Sequence, residues 1–388
     1  MKDFTTFMPT RLIFGCGTVN NIGEVAKEYG KKAMIVTTGS DLKKLSILDK
    51  VIDPLKENGM DILVYDDISP NPKTHQIDKG VEAFKAEKCD IAIGVGGGSA
   101  MDAAKAIALI AWNGGSIYDY VAGGSRRYEI IKKAYPIICV STTSGTGSEA
   151  TQYAVITNPE THEKPGLSYD CLFPVVSIID PELTCALPRD ITAETGIDAF
   201  YHAMEAYLST VATPYADIIS LDCMRIVAGN LEKALTDGSD IEARAQMAWA
   251  GTLGGIAIAL TATVGIHAIG NSISGLMDVA HGRALSSVGV AYLEYTWDAD
   301  VKKYAEVARI LGADACLPDV EAAKQCGALM KTFLKKTGVG STITDVGVEK
   351  SQIEHITDVT FSSMKLGIDV SLKKLERDDV IKIMESAL

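Results

Sequence analysis

The stretch DIAIGVGGGSAMDAAK, residues 90–105, decides the fold. Residues 90–95 form a short apolar run of strand length, and it feeds directly into Gly96-Gly97-Gly98-Ser99. A helical pattern over 100–112 follows. A strand, a glycine turn and a helix in that order make a site for a pyrophosphate. The glycines let backbone N–H groups approach the phosphates, and the helix N-terminus turns its positive dipole end toward them. Gly97, Gly98 and Ser99 are the candidate phosphate-cradling residues, and Asp102, in the first helical turn, is favoured there by the helix dipole. The turn is not a G-x-G-x-x-G fingerprint, and glycine turns also join strands to helices with no ligand present.

Outward from this unit the same pattern repeats. Strands are expected over 33–38, 61–65, 135–140 and 175–180, with amphipathic helical segments over 43–58 and 74–88 and punctuation at Gly30, Gly59, Pro70 and Pro72. That alternation predicts βαβ units and a parallel sheet with flanking helices. After Asp180-Pro181 the character changes, and the periodic segments, among them 192–209, 216–235 and 320–336, read as helices. The expectation is an α/β N-terminal dinucleotide-binding domain over 1–185 and an all-α C-terminal metal-binding domain over 186–388, a length that accommodates both.

The net charge of −13, with no Lys/Arg run longer than two, argues against nucleic acid or an anionic membrane as a partner. Residues 245–277 contain no Asp, Glu, Lys or Arg and are long enough to span a bilayer. The run is nevertheless rich in Gly and Thr and holds His267 and Asn271, so it reads as buried helices of a globular domain. Met1 to Gly17 lacks the layout of a signal peptide, and the eight scattered cysteines form no CxxC pair; a cytoplasmic protein with reduced thiols is expected.

A second loop strengthens the nucleotide reading. The strand ending at Val140 leads into Ser141-Thr142-Thr143-Ser144-Gly145-Thr146-Gly147-Ser148-Glu149, with six hydroxyls in nine residues. Open α/β sheets bind ligands at the carboxyl edge, where such a loop lies. A Ser/Thr-rich turn capping the next element is the plain alternative, but two such loops at two strand ends favour a dinucleotide.

The chain has six histidines, and one of them, His202, stands four residues after Asp198. On a helix the two share a face and can chelate one ion. Each residue taken singly has a bland reading: Asp198 with His202 as a hydrogen-bonded pair, His267 as a satisfied core histidine. A histidine inside an uncharged helix still needs a polar partner to offset its burial, and a shared metal would supply one.

The loop GGGSAMDAAK (96–105), the loop STTSGTGSEAT (141–151), the helix GIDAFYHAMEA (196–206) and the pair His267 and His281-Gly282 occur in the order and spacing of the iron-containing (group III) alcohol dehydrogenases. The opening Met8-Pro9-Thr10-Arg11 through Phe14-Gly15 resembles that family's first strand. The resemblance covers essentially the whole chain and implies a dehydroquinate synthase-like architecture. It implies that Asp198, His202, His267 and His281 hold Fe2+ or Zn2+, which leaves a position open for substrate. It implies that Gly97, Gly98 and Ser99 bind the pyrophosphate, that Thr142, Thr143, Thr146 and Thr151 contact the nucleotide, and that Lys164 lies near the nicotinamide ribose. Homodimers are common in the family.

Two positions depart from the family pattern. Many members carry a second histidine four residues after the third ligand; here it is Asn271, and an amide is no general base at neutral pH. NAD-preferring members carry an Asp after the strand at 33–38 to accept from the ribose 2′-hydroxyl. Here Thr38-Gly39-Ser40, followed by Lys43 and Lys44, is similar to the NADP-using members, with Asp41 counting against. The resulting expectation is an NAD(P)-linked alcohol dehydrogenase or aldehyde reductase for a small primary alcohol or aldehyde, preferring NADP(H) to NAD(H), with the metal as Lewis acid. Glycerol dehydrogenase- or dehydroquinate synthase-like enzymes share the fold, and a metal-dependent hydrolase would leave the 141–151 loop without a role.

Overall fold

A strand of small and branched apolar residues with no polar side chain must be covered on both faces, and this requirement organises the nucleotide-type unit. The computed structural model describes residues 3–39, 46–121, 125–126, 129–161, 163–164 and 166–388. These fall into two units, Phe7–Leu187 and Met1–Thr6 with Pro188–Leu388.

In the unit Phe7–Leu187 the strands are β1 (Arg11–Phe14), β2 (Lys32–Val36), β3 (Asp61–Tyr65), β4 (Ile91–Gly96), β5 (Ile137–Ser141), β6 (Tyr153–Val155), β7 (Gly166–Ser168) and β8 (Val176–Ile179). Six of them form a sheet in the order β1-β8-β5-β4-β2-β3, and every pairing in it is parallel. The helices are α1 (Ile22–Ala26), α2 (Ile47–Glu57), α3 (Thr74–Ala86), α4 (Gly98–Asn113) and α5 (Ile117–Tyr120). Alternate residues of the central strands enter different cores. Met34, Val36 and Ala92 pack with α3 and α4, whereas Ala33, Ile35, Ile91, Ile93 and Val95 pack with α1 and α2. The period-2 pattern therefore buries both faces, as the sequence predicts.

Register places the loops. Gly96 of β4 pairs with Ser141 of β5, and Val36 of β2 pairs with Gly94 of β4. The segments after β2, β4 and β5 thus leave the same edge side by side. At Gly94 a Cβ would stand 2.8 Å from the Met101 Cα, so its absence is what lets α4 lie directly on β4. The three-residue antiparallel pair β6–β7 was not foreseen, because strands so short carry no readable alternation. Ser40, together with Asp41, Lys43 and Lys44, lies outside the described residues.

In the unit built from Pro188 onward the described elements are helical apart from an isolated bridge and turns. They include α6 (Arg189–Tyr207), α7 (Pro214–Thr236), α8 (Ile241–Leu260), α9 (Gly265–Met277) and α10 (His281–Thr296). The expected helix over 320–336 is two, Asp319–Lys324 and Cys326–Thr337, separated at Gln325. Neither Gly nor Pro stands at Gln325 itself, and Gly327 lies just inside the second helix. The uncharged run is α8 and α9, bent by 106° between them, and no single helix there is long and apolar enough to cross a membrane.

Candidate functional site

α6 carries Asp198 and His202 one turn apart, both buried, on the face that packs into the helical core. Two close approaches bring the distant histidines to them. Gly254 on α8 would place a Cβ 3.2 Å from the Ala199 carbonyl, so α8 lies tightly along α6. Gly282 at the start of α10 would place a Cβ 2.5 Å from the Glu194 carbonyl, a contact no larger residue can make. Arg283 then donates from Nε to Glu194 Oε1 at 2.7 Å. Glu194 is one turn before Asp198, so this contact delivers His281 to the aspartate. His267, on α9, faces the same point.

The convergence is centred on a single atom. Asp198 Oδ1 lies 3.6 Å from His202 Nε2, 3.5 Å from His267 Nε2 and 3.6 Å from His281 Nε2. The donor atoms of Asp198, His267 and His281 also lie within 4.8 Å of one another. Such separations are too long for N–H···O hydrogen bonds, which run at about 2.7–3.2 Å. They suit a shared ion: donors about 2.1 Å from a four-coordinate ion stand about 3.4 Å apart. Asp198 Oδ1 and His267 Nε2 are buried without a hydrogen-bond partner. Orphaned buried groups of that kind each cost about 1–3 kcal/mol. An ion satisfies both at once, so the residues present fit a divalent metal. His281, with 29% of its side chain exposed against 5–7% for the others, marks the open side of the site.

The electrostatics agree. Burial pushes the Asp198 pKa up, but His202, His281 and His267 outweigh it and hold the carboxyl well below the usual range. Burial pushes His267 down, yet Glu205 and Asp198 overcome this and raise its pKa to about 9. Glu205 was missed by sequence reasoning. Its Oε1 lies 2.6 Å from His267 Nδ1, and the residue has no exposed surface. The available signal was its spacing, seven residues after Asp198 and so two turns along the same helix face.

In the other unit the two loops press together. A Cβ on Gly97 would come 3.1 Å from Thr143 Cγ2, and one on Gly98 would come 3.0 Å from Thr146 Cγ2. Thr142 N donates to the Gly96 carbonyl at 3.0 Å. The buried hydroxyls Thr143 Oγ1, Ser144 Oγ and Thr37 Oγ1 have no hydrogen-bond partner, and α4 begins at Gly98 with no side-chain cap. Ser99 Oγ accepts from Asn71 N at 3.2 Å. Lys164, buried, donates from Nζ to Asn71 Oδ1 at 2.8 Å, which ties it to the same network. Thr38 and Gly39 follow β2, where Gly39 takes a φ of +89°.

Asp102 and Thr151 have structural partners. Asp102 accepts from Ser148 Oγ at 2.6 Å and from Val155 N at 2.9 Å, so both its oxygens are engaged within the fold. Lys105, fully buried and also missed, donates from Nζ to the carbonyls of Ser148 (2.7 Å), Thr151 (2.9 Å) and Tyr153 (2.8 Å). It also reaches Thr151 Oγ1 at 3.3 Å. Together the two side chains pin residues 148–155 to α4.

Residues 9–181 match the family described as iron-containing alcohol dehydrogenase, and residues 192–388 match the C-terminal region of the Fe-containing alcohol dehydrogenase family. The chain is 34% identical to a choline dehydrogenase of Bacillus subtilis (strain 168), over 92% of this chain and 89% of that one. It is 32% identical to an NAD-dependent methanol dehydrogenase of Bacillus methanolicus, over 98% and 99%. Its structure is similar to the crystal structure of an archaeal halo-thermophilic alcohol dehydrogenase from a Red Sea brine pool. The TM-score is 0.96 at 35% identity, with both chains fully covered.

Proposed function

The chain belongs to the iron-containing alcohol dehydrogenase family and is a nicotinamide-dependent alcohol dehydrogenase, and we propose that Asp198, His202, His267 and His281 hold its catalytic divalent ion. The observation that carries this is the single carboxylate oxygen, Asp198 Oδ1, held 3.5–3.6 Å from three imidazole nitrogens. Fe2+ is the family's ion, and Zn2+ accepts the same donor set. When bound, the ion supplies Lewis acidity to the oxygen of a small primary alcohol or aldehyde, and the nicotinamide carries the hydride.

The protein's own contribution is placement. The unit Phe7–Leu187 would hold the nucleotide, with backbone N–H groups at Gly97, Gly98 and Ser99 available to the pyrophosphate. The hydroxyls of Thr142, Thr143 and Thr146 would contact it, with Thr151 shaping the loop and Lys164 serving the ribose. Position 38 is a threonine and not a carboxylate that would accept from a 2′-hydroxyl or repel a 2′-phosphate, which favours NADP(H) over NAD(H), with Asp41 counting against. Asn271, one turn after His267 on α9, orients through its amide and takes no proton. Either the proton of the alcohol would leave by a route that does not use residue 271, or the substrate set differs from that of members with histidine there.

The test is aldehyde-dependent oxidation of NADH and NADPH by protein stripped with a chelator and reloaded anaerobically with Fe2+. Activity with butanal is expected to vanish on stripping and return on loading, and Asp198→Asn is expected not to regain it. Metal-replete protein that oxidises neither cofactor with any small aldehyde would sink the assignment.

A further inference from the structure

Four side chains are needed to hold the ion, but an imidazole offers either of two nitrogens, and only one of them can face the site. In a neutral ring, the nitrogen that carries the proton cannot bind a metal. Something must fix that choice. At His267 the geometry identifies it, resting on the reading of the metal site given above.

We propose that Glu205 is a positioning residue that sets the tautomer of His267, holding the proton on Nδ1 so that Nε2 faces the ion bare. Glu205 Oε1 lies 2.6 Å from His267 Nδ1. Its other oxygen, Oε2, accepts from Val264 N at 2.7 Å and from His267 N at 3.2 Å. Both donors are backbone amides at the start of α9, and they cannot be anything but donors. The carboxylate is therefore filled on Oε2 and presents Oε1 as an acceptor. In the neutral ring Nδ1 must donate to it, and Nε2 is left without a proton, 3.5 Å from Asp198 Oδ1. The same contacts fix the ring's orientation, because the side chain and the helix start that carries it are gripped by one carboxylate.

The isosteric change Glu205→Gln separates this role from packing. The two backbone donors draw the amide oxygen to the Oε2 position, since an NH2 group there would face two N–H groups. The NH2 then faces Nδ1, which has to accept, and the ring's proton moves to Nε2, aimed at the ion. All three hydrogen bonds survive, so a purely structural Glu205 would tolerate the change.

Zinc affinity of the full-length chain, measured by competition with a chromophoric chelator at about pH 10, where the His267 ring is neutral in both proteins, is expected to be about 10–100-fold weaker in E205Q than in wild type. At the same pH, the melting transition of the metal-free variant should remain near that of wild type. Nitrogen NMR of zinc-loaded wild type should show His267 protonated at Nδ1. Equal zinc affinities in E205Q and wild type, or a wild-type ring bound through Nδ1, would overturn this inference alone. A wild-type chain that takes up no zinc would overturn the metal reading, and this inference with it.

Discussion

Metal affinity should depend steeply on pH, and His267 sets the slope. In the metal-free chain its pKa is raised to about 9: burial pushes it down, and Glu205 and Asp198 more than compensate. An imidazolium cannot ligate, so the ion competes with a proton for Nε2. A group raised in this way contributes stability to the metal-free fold that is fully present below about pH 6.5. That stability is lost as pH rises through about 9. Metal binding has the opposite sign and gains over the same window. With a pKa near 9, the fraction of neutral imidazole rises from about one in a hundred at pH 7 to about one half at pH 9, so the apparent affinity climbs about 50-fold. An ordinary histidine with a pKa of about 6.5 would give a rise of only about 1.3-fold over the same range. Asp198 is held well below the usual carboxylate range and stays ionised throughout, so it adds no slope there. Zinc-buffered titrations at pH 7, 8 and 9 distinguish these cases. Calorimetry in buffers of different ionisation enthalpy should count about one proton released from His267 per zinc bound at pH 7.5. A flat affinity across this window would refute the claim that Glu205 and Asp198 together charge this ring.

Other perturbations test the nucleotide unit and the proton path. Lys105→Met removes the donor to the Ser148, Thr151 and Tyr153 carbonyls and deprives the buried Asp102 of the stronger of its two neighbouring cations. It should cost about 3–5 kcal/mol in urea unfolding, as broken buried pairs do, and a cost under about 1 kcal/mol would contradict the role given to it. Gly98→Ala places a Cβ 3.0 Å from Thr146 Cγ2, so NADH should bind about tenfold more weakly by fluorescence titration, with zinc affinity unchanged. Asn271→His installs a group titrating near pH 6.5, and kcat/KM against pH should gain an inflection there that wild type lacks.

The parts of this molecule that were legible in the sequence are those whose signal is local. β4, its glycine turn and α4 are contiguous, and their pattern of apolar strand, flexible turn and helix gives the parallel sheet and the proposed phosphate site together. Asp198 and His202 share one helical turn, so periodicity alone puts them on one face. His267 and His281 were different. Nothing in their own neighbourhoods says that they meet Asp198, because the meeting depends on glycines at 254 and 282 that let α8 and α10 approach α6. Family resemblance supplied what spacing could not. Glu205 and Lys105 went unread for a related reason. A charged residue in a helix is usually solvated, and only the packed structure shows that these two are fully buried. The break at Gln325 and the β6–β7 pair had no period to announce them, although Gly327, Asn158-Pro159 and Pro165-Gly166 lie close by.

Those two buried charges share a logic that extends past either site. An isolated charge in a protein interior is prohibitively costly unless hydrogen bonds surround it. Lys105, a cation, is surrounded by the carbonyls of Ser148, Thr151 and Tyr153; Glu205, an anion, by the amides of Val264 and His267. In each case an oppositely charged side chain, Asp102 or His267, stands beside the charge, and backbone groups supply further hydrogen bonds from a segment that bears proposed site residues. Loop 148–155 continues the hydroxyl-rich loop proposed to contact the nucleotide, and the start of α9 carries His267. A neutral side chain of the same size could fill either space, but it would not demand that several carbonyls or amides converge on one point. Because the burial of each charge is tolerable only when that convergence is met, each charge penalises alternative loop and helix-start geometries. The cost of burial thus becomes a constraint on position at the places where chemistry requires one.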